Sequence, residues 1–369
     1  MSQAGENAAL METQKEKREY YIAYFDVLGY RAFFAENSNV NVLLLAIEEI
    51  VSQAKLYTVA IQELTLLSTF LQVNLQVKAF SDNFLLSIEV SDSPLESVRL
   101  MMLLGIIAAI QRVCLQKFGL LVRGGITRGP LVITEDFIFG KGLVDVVSLE
   151  ERANYPRIIV DSLINEVFEK SKAKISEEVA IFQRQEKENT EDLLEQGNNL
   201  LSRLKSVSYV ANVVQSLILR DADGIDFLNC FYKKGYQDIL TPEFSTRVEK
   251  FLQDFYPKEY EVAQNSSYDY SLMLEQVKEK LVEKLLFYGQ YNDLKTEDVK
   301  SAEIREGVLK KYLWTMRLYN LACTSNGYSE KIIPAITNVD GRFLRMMVQM
   351  GEMPKDVNGV VKTFTIEQL

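Results

Sequence analysis

The chain has 369 residues, 47% of them hydrophobic and 25% charged, enough for one large domain or two ordinary ones around a substantial core. A net charge of −10 argues against a protein that coats nucleic acid or an anionic membrane through bulk charge, although local cations can still hold a nucleotide. There is no histidine, which excludes Ser-His-Asp and Cys-His catalysis, histidine metal sites and imidazole bases, and leaves carboxylates, Lys, Arg, Tyr, backbone groups or a bound metal to carry any chemistry.

Residues 1–18 are polar and charged, a flexible lead-in without the apolar core of a signal peptide. EYYIAYFDVLGY, rich in aromatic and β-branched residues, predicts a strand ending near Asp26. From Val40 to about Thr65 the apolar residues recur at helical spacing. LQVNLQVKAFSD alternates apolar and polar and is followed at once by NFLLSIEV, so the two predict a hairpin around Ser81-Asp82-Asn83. A helix is expected from a start signal at Ser93-Pro94 to a stop at Gly119. Within it, the apolar stretch Leu100–Ile110 is too short to span a bilayer. LLVRGGITRGPLVI then predicts a strand broken by glycines, DVVSLEERAN a short amphipathic helix, and PRIIVD a last strand. The order β-α-β-β-α-β-α-β, with a central hairpin, predicts an α+β fold of the ferredoxin-like plan.

After residue 166 the texture changes. The expected divisions are a flexible N-terminus (1–18), a first domain (19–166), a charged linker or helix (167–200) and a mainly α-helical C-terminal region (201–369). Cys114, Cys230 and Cys323 are far apart and form no zinc or disulfide pattern. Asp221, Asp223 and Asp226 in RDADGIDF do not keep EF-hand spacing and predict a capped turn. Leu309, Leu313 and Met316 form a packing stripe at helical spacing. A cytoplasmic protein is expected.

Asp26 closes the first strand and Asp82 sits at the hairpin tip. If the two segments are neighbours, both carboxylates emerge at one end of the sheet, a hard-oxygen site for Mg²⁺ or Mn²⁺ with phosphate oxygens and water completing the shell. Val27 could add its backbone carbonyl. Gly29 permits the sharp turn into the next helix, whose free N–H groups could cradle phosphates. Glycines beside Arg123 permit close approach of a ligand. Arg128 and Lys141 are basic residues expected near the mouth of such a site.

Three segments in this order resemble the class III nucleotidyl cyclases: Tyr24-Phe25-Asp26-Val27-Leu28-Gly29-Tyr30-Arg31, Val77-Lys78-Ala79-Phe80-Ser81-Asp82, and Val122-Arg123-Gly124-Gly125-Ile126-Thr127-Arg128-Gly129-Pro130-Leu131. The resemblance covers roughly residues 20–165. It implies that Asp26 and Asp82, with Val27, bind two Mg²⁺ or Mn²⁺ ions, that Arg123 contacts the triphosphate, and that Lys78 lies beside the base. Gly29, Tyr30, Arg31 and Arg128 are the other substrate-binding positions it implies. The sequence departs from the family where an Asn and an Arg usually follow a glycine. Alignment on Gly140 puts Val144 and Ser148 there, a slip of one residue puts Asp145 and Leu149 there, and Arg152 or Arg157 are the nearby substitutes. A looser resemblance spans most of the chain, through RGGITRG, FGKGLVDVVSLEERANYPRIIVD, DADGIDFLNCF and KKYLWTMRLYN. It is to the pyrimidine nucleotide cyclases of bacterial Pycsar anti-phage systems, and implies a homodimer that makes cyclic UMP or cyclic CMP from UTP or CTP for a separately encoded effector. Both pyrimidines present a carbonyl that Lys78, Asn83 or Thr127 could meet. A purine cyclase, and a cyclase-like nucleotide sensor without turnover, are the alternatives.

Overall fold

The computed structural model describes residues 18–30, 75–91, 96–134, 137–185, 216–233, 269–289 and 299–333, with single positions between them. Five strands build the centre of the sheet: β1 (Arg18–Leu28), β2 (Leu75–Phe80), β3 (Asn83–Glu89), β4 (Leu121–Ile133) and β6 (Ile158–Val160), with the short β5 (Ile138–Phe139) on β4. Their helices are α1 (Glu96–Phe118), α2 (Lys141–Arg152) and α3 (Ser162–Gln185). Later come β7 (Ile218–Arg220), β8 (Asp226–Leu228), α4 (Tyr270–Gly289) and α5 (Val299–Ser325). The fold is α+β.

The sheet order is β2-β3-β1-β4-β6-β8-β7. β1 pairs antiparallel with both β3 and β4, and β2 pairs antiparallel with β3. That is the split βαβ arrangement of a ferredoxin-like unit, with β1 at its centre. Alternate residues of β1 therefore feed two cores. Tyr21, Ala23, Phe25 and Val27 join the cluster built on α1, whereas Ile22 packs with Leu85, Leu131 and Val146 beneath α2. Between β1 and β2, the described positions Leu43, Ile47 and Val51 are helical and buried in the α1 core; the remainder of the helix expected at 40–65 lies outside the described residues, as does the lead-in before Arg18.

Helix α1 ends where Gly119 takes φ +64 and its N–H bonds to the carbonyl of Leu115 at 2.9 Å. Among the described residues it is the one helix long and apolar enough to cross a membrane, yet 89% of its apolar window is buried inside the protein. Its apolar surface is therefore spent inside the protein, on the sheet and on α3 and α4.

The glycines of β4 have a use other than the one expected from sequence. A Cβ on Gly125 would lie 2.4 Å from Leu149 Cβ and 3.1 Å from the carbonyl of Val146, and one on Gly142 would lie 2.4 Å from Ile22 Cδ1. They allow α2 to sit directly on β4 and β1, so the close approach is made by a helix and not by a ligand. Gly125→Ala is expected to cost about 1–3 kcal/mol through overpacking, seen as a lower urea midpoint with an unchanged slope.

The C-terminal region does not stand apart. β7 and β8 extend the sheet beyond β6. Leu115 of α1, Leu121 of β4 and Phe227 of β8 share one core with Leu274, Leu281, Leu313 and Tyr319 of α4 and α5. The expected stripe is present, with Leu309, Leu313 and Met316 all buried. Cys114, Cys230 and Cys323 are free and buried; burial pushes the thiols of Cys114 and Cys230 up to about 12, so they are inert packing groups.

The DADG segment is a turn joining β7 to β8, with Gly224 at φ +80 and its N–H on the Asp221 carbonyl at 3.0 Å. Asp221 and Asp223 both point at Arg157, which is fully buried. Asp221 also accepts the Trp314 indole N–H at 3.2 Å. These aspartates therefore neutralise an arginine. Arg157, considered from sequence as a replacement for the missing site arginine, stands at the same end of the sheet as Asp26, its carbonyl accepting the Gly124 N–H at 3.0 Å, but its guanidinium is committed to Asp221 and Asp223.

Candidate active site

β1 ends in Asp26-Val27-Leu28, and Gly29 then turns the chain at φ +85 into a helical turn, its carbonyl accepting the Phe33 N–H at 3.0 Å. Any side chain at Gly29 would be strained at that φ. The ladder has no bulge, and it places Asp26 between Asn83 on β3 and Arg123 on β4. The hairpin reverses through Ser81, which adopts φ +62, and Asp82. The Val27 N–H donates to the Asp82 carbonyl at 3.0 Å, tying the hairpin tip to the end of β1. The two aspartates thus stand at one end of neighbouring strands.

Asp82 is held from its own strand. Asn83 Nδ2 donates to Asp82 Oδ1 at 3.2 Å, and the Tyr24 hydroxyl donates to Asn83 Oδ1 at 2.8 Å. Asn83, considered from sequence as a contact to the base, is here the link that orients Asp82. Thr127, the other residue considered, is fully buried and donates to Asp161 Oδ2 at 2.7 Å; Asp161 caps α3 through the Leu163 N–H at 3.1 Å.

Arg123 lies between two acids. Its Nη2 is 3.7 Å from Asp26 Oδ2, and its Nε is 2.6 Å from Glu150 Oε1. The Nε–H does not aim along that short contact, so the pair is ionic rather than a well-formed hydrogen bond. Glu150 is the residue that sequence reading missed. Its signal was present: Gly142, Val146 and Glu150 recur every fourth residue along α2, which puts a carboxylate on the buried stripe. Three carboxylates act on this end of the sheet. Tyr24 reports them, since burial first and then Glu150, Asp26 and Asp82 raise its hydroxyl above the ordinary tyrosine range.

Burial is also the largest influence on Glu150 and holds its carboxyl above the usual range despite Arg123. The folded state therefore keeps this proton more tightly than the unfolded chain, whose value is near 4.5. The stability owed to the group falls as pH rises through the window just above 4.5. Relative to Glu150→Gln, the wild-type urea midpoint should decline between pH 4 and pH 7; a constant difference would show that Arg123 compensates the charge in full.

The remaining expected positions divide. Tyr30 opens the helical turn after Gly29, where burial and then the Asp82 charge raise its hydroxyl. Lys78 pairs with Leu85, which pairs with Tyr24, so it shares a face of the sheet with Asp26 one row further in. Arg31 lies outside the described residues. Arg128 is not at this end. It lies roughly 17 Å along β4 from Arg123 at about 3.3 Å per residue, on the opposite face, and contacts Glu19 at 3.1 Å. Lys141 is also remote, beginning α2 beside Gly129 and paired with Asp145. Val144 is exposed, and the Ser148 hydroxyl is spent on the Val144 carbonyl at 2.9 Å. Leu149 is buried, so neither alignment supplies the usual amide and guanidinium.

No family model matches the chain, and no curated protein matches it. Among solved structures, the chain is similar to the adenylyl cyclase CyaB from P. aeruginosa, at 12% identity and a TM-score of 0.30, over 42% of this chain and 81% of that one.

Among the described residues, no group of three or more His, Cys, Asp or Glu side chains could hold a metal by itself. What the strand ends provide is a pair of carboxylates, Asp26 and Asp82, beside backbone carbonyls. That all-oxygen set fits a hard divalent cation whose remaining positions are filled by substrate oxygens and water.

Proposed function

We propose that this protein is a nucleotidyl cyclase, converting a nucleoside triphosphate to its 3′,5′-cyclic monophosphate and pyrophosphate. One observation carries the reading: Asp26 and Asp82 stand together at the ends of adjacent strands, joined through the Val27 N–H, with Arg123 3.7 Å from Asp26. Asp26, Asp82 and the Val27 carbonyl would hold two Mg²⁺ or Mn²⁺ ions. Such ions lower the pKa of the ribose 3′-hydroxyl and neutralise charge on the departing pyrophosphate. O3′ bonds to the α-phosphorus, the bond to the bridging pyrophosphate oxygen breaks, and the hydroxyl proton leaves to solvent. The chain's own work is positioning. Arg123 keeps part of its guanidinium exposed, and the triphosphate competes with Asp26 and Glu150 for that fork. Lys78, on the same face, faces the base.

Pyrimidine substrates, with UTP ahead of CTP, follow from the looser sequence resemblance alone, as do a cytoplasmic homodimer, an anti-phage role and a separate effector. Donors only on Lys78 suit the carbonyl that uracil and cytosine both carry. A second reading, a nucleotide sensor without turnover, is favoured by one observation: the exposed Val144 and Ser148 provide no group to steady the transition state.

The test is incubation with ATP, GTP, CTP and UTP and Mn²⁺, read by mass spectrometry. A cyclic pyrimidine monophosphate establishes the proposal and its base together. A cyclic purine product keeps the enzyme and overturns the base. Nucleotide binding without any cyclic product establishes the sensor.

A further inference from the structure

Beyond the end of β1, a cavity of about 500 Å³ opens between the strand ends and the two long C-terminal helices. Leu28, Gly29 and Leu121 line it from the sheet, and Lys311 and Tyr312 line it from α5. Leu28 and Leu121 are cross-strand partners, and Asp26 and Arg123 are the next pair on the same face. The row against which Lys311 sits is therefore roughly 7 Å from the Asp26 row, at about 3.4 Å per residue. We infer that Lys311 belongs to the candidate active site and holds the pyrophosphate half of the triphosphate, so that the C-terminal region completes the site. The inference rests on the nucleotide-binding part of the proposed function, and not on turnover.

The order of the rows carries the assignment. That reading gives the base to Lys78, which shares the row of Tyr24 on the inner side of Asp26. It gives the α-phosphorus to the Asp26 row. A nucleotide laid along the face in that order sends its β- and γ-phosphates outward, past Arg123 to the Leu28–Leu121 row and Lys311.

The charges agree with this placement. Burial, and then the Arg123 charge, lower the Lys311 ammonium, while the Asp26 charge opposes them. Two cations brought to one recess repel each other, and a polyanion between them relieves the repulsion. Lysine acts on phosphate as a point charge and arginine as a fork, so Lys311 and Arg123 are complementary ligands. Lys311 also supplies a cation to a site in which Ser148 provides none.

The position is built into the helix. Tyr312, the next residue, donates its hydroxyl to the Gly119 carbonyl at 2.7 Å and stacks on Tyr288 at 5.7 Å. Leu309 and Leu313 are buried in the core that they share with Leu121. Helix α5 thus presents Lys311 at the strand ends without an ordering cost in its backbone. Lys310, by contrast, is paired along α5 with Glu306 at 3.1 Å.

The experiment is calorimetric titration of the full chain, in Mn²⁺, with the α,β-methylene analogues of UTP and ATP, inorganic pyrophosphate, UMP and AMP. The analogues carry carbon in place of the bridging oxygen that must leave, so they bind without reacting. Lys311→Met should weaken pyrophosphate and the analogue that binds the wild type by about tenfold or more, and leave the monophosphate within about twofold. Lys311→Arg should recover most of the loss, and Lys310→Met should change nothing, at matched thermal midpoints. Lys311→Gln replaces Lys311→Met if the latter shifts the midpoint. A wild type and a Lys311→Met variant that bind the analogue equally would overturn the assignment. So would an equal loss for the monophosphate, which would take Lys311 off the pyrophosphate. A wild type that binds neither analogue would overturn the nucleotide reading and this assignment with it, and that failure is told apart because it appears before any substitution.

Discussion

Asp82→Asn and Asp26→Asn are each expected to reduce cyclic nucleotide formation by roughly 10³-fold or more. Neutralising one of two carboxylates removes several kcal/mol of charge stabilisation that a bound cation would deliver, and each 1.36 kcal/mol is about tenfold in rate. The fold should tolerate both changes. Asp82 lies in a two-residue turn, and its structural link, the carbonyl that accepts the Val27 N–H, belongs to the backbone. Product formation under saturating Mn²⁺ is the measurement, with urea unfolding alongside. Turnover within a few-fold of wild type in Asp82→Asn would mean that these carboxylates do not carry the reaction.

Arg157→Ala should be the most destabilising single substitution among those considered, by about 3–5 kcal/mol. Arg157 is fully buried at the start of β6 and holds Asp221 and Asp223, more than sixty residues further along the chain. Tyr155 lies beneath its guanidinium at 5.5 Å and stacks in turn on Trp314 of α5. Removing the guanidinium leaves a buried Asp221 uncompensated and loosens the turn that brings β7 to β8. Arg157→Lys should recover little, because a single ammonium cannot reproduce the fork shared by two carboxylates. The acid side has a defined sign. Burial opposes ionisation of Asp223, but the hydrogen bonds from Arg157 and from the Ile225 N–H outweigh it and hold the carboxyl below its usual 3.8. Its contribution is present above about 3.8, is lost as pH falls further, and should be missing from the acid unfolding of the variant. A loss of under 1 kcal/mol in the urea midpoint would show that the buried pair is replaceable.

The hairpin, the central strand, the long core helix and both aspartates were legible because they rest on local chemistry. Alternation in LQVKAF and NFLLSIE sets the strand faces, Gly119 and Gly29 take the left-handed backbone that stops or turns the chain, and an acid closing an apolar strand is visible without a partner. A ferredoxin-like order was also within reach, since a hairpin between two helices leaves few ways to pair the strands.

What only the tertiary structure decided was where the remaining charges go. Arg128 and Arg123 look equivalent in RGGITRG, yet five steps along a strand of period two place them on opposite faces, Arg123 near the strand end and Arg128 at mid-strand. Of the glycines beside Arg123, Gly124 meets β1 and Gly125 meets α2. Glu150, Arg157 and Lys311 acquire their roles from partners 27, 64 and 188 residues away in sequence, namely Arg123, Asp221 and again Arg123. Local pattern fixes which way a side chain points on its own element. The charge it meets depends on how distant elements pack, and burial at that contact sets the strength of the interaction.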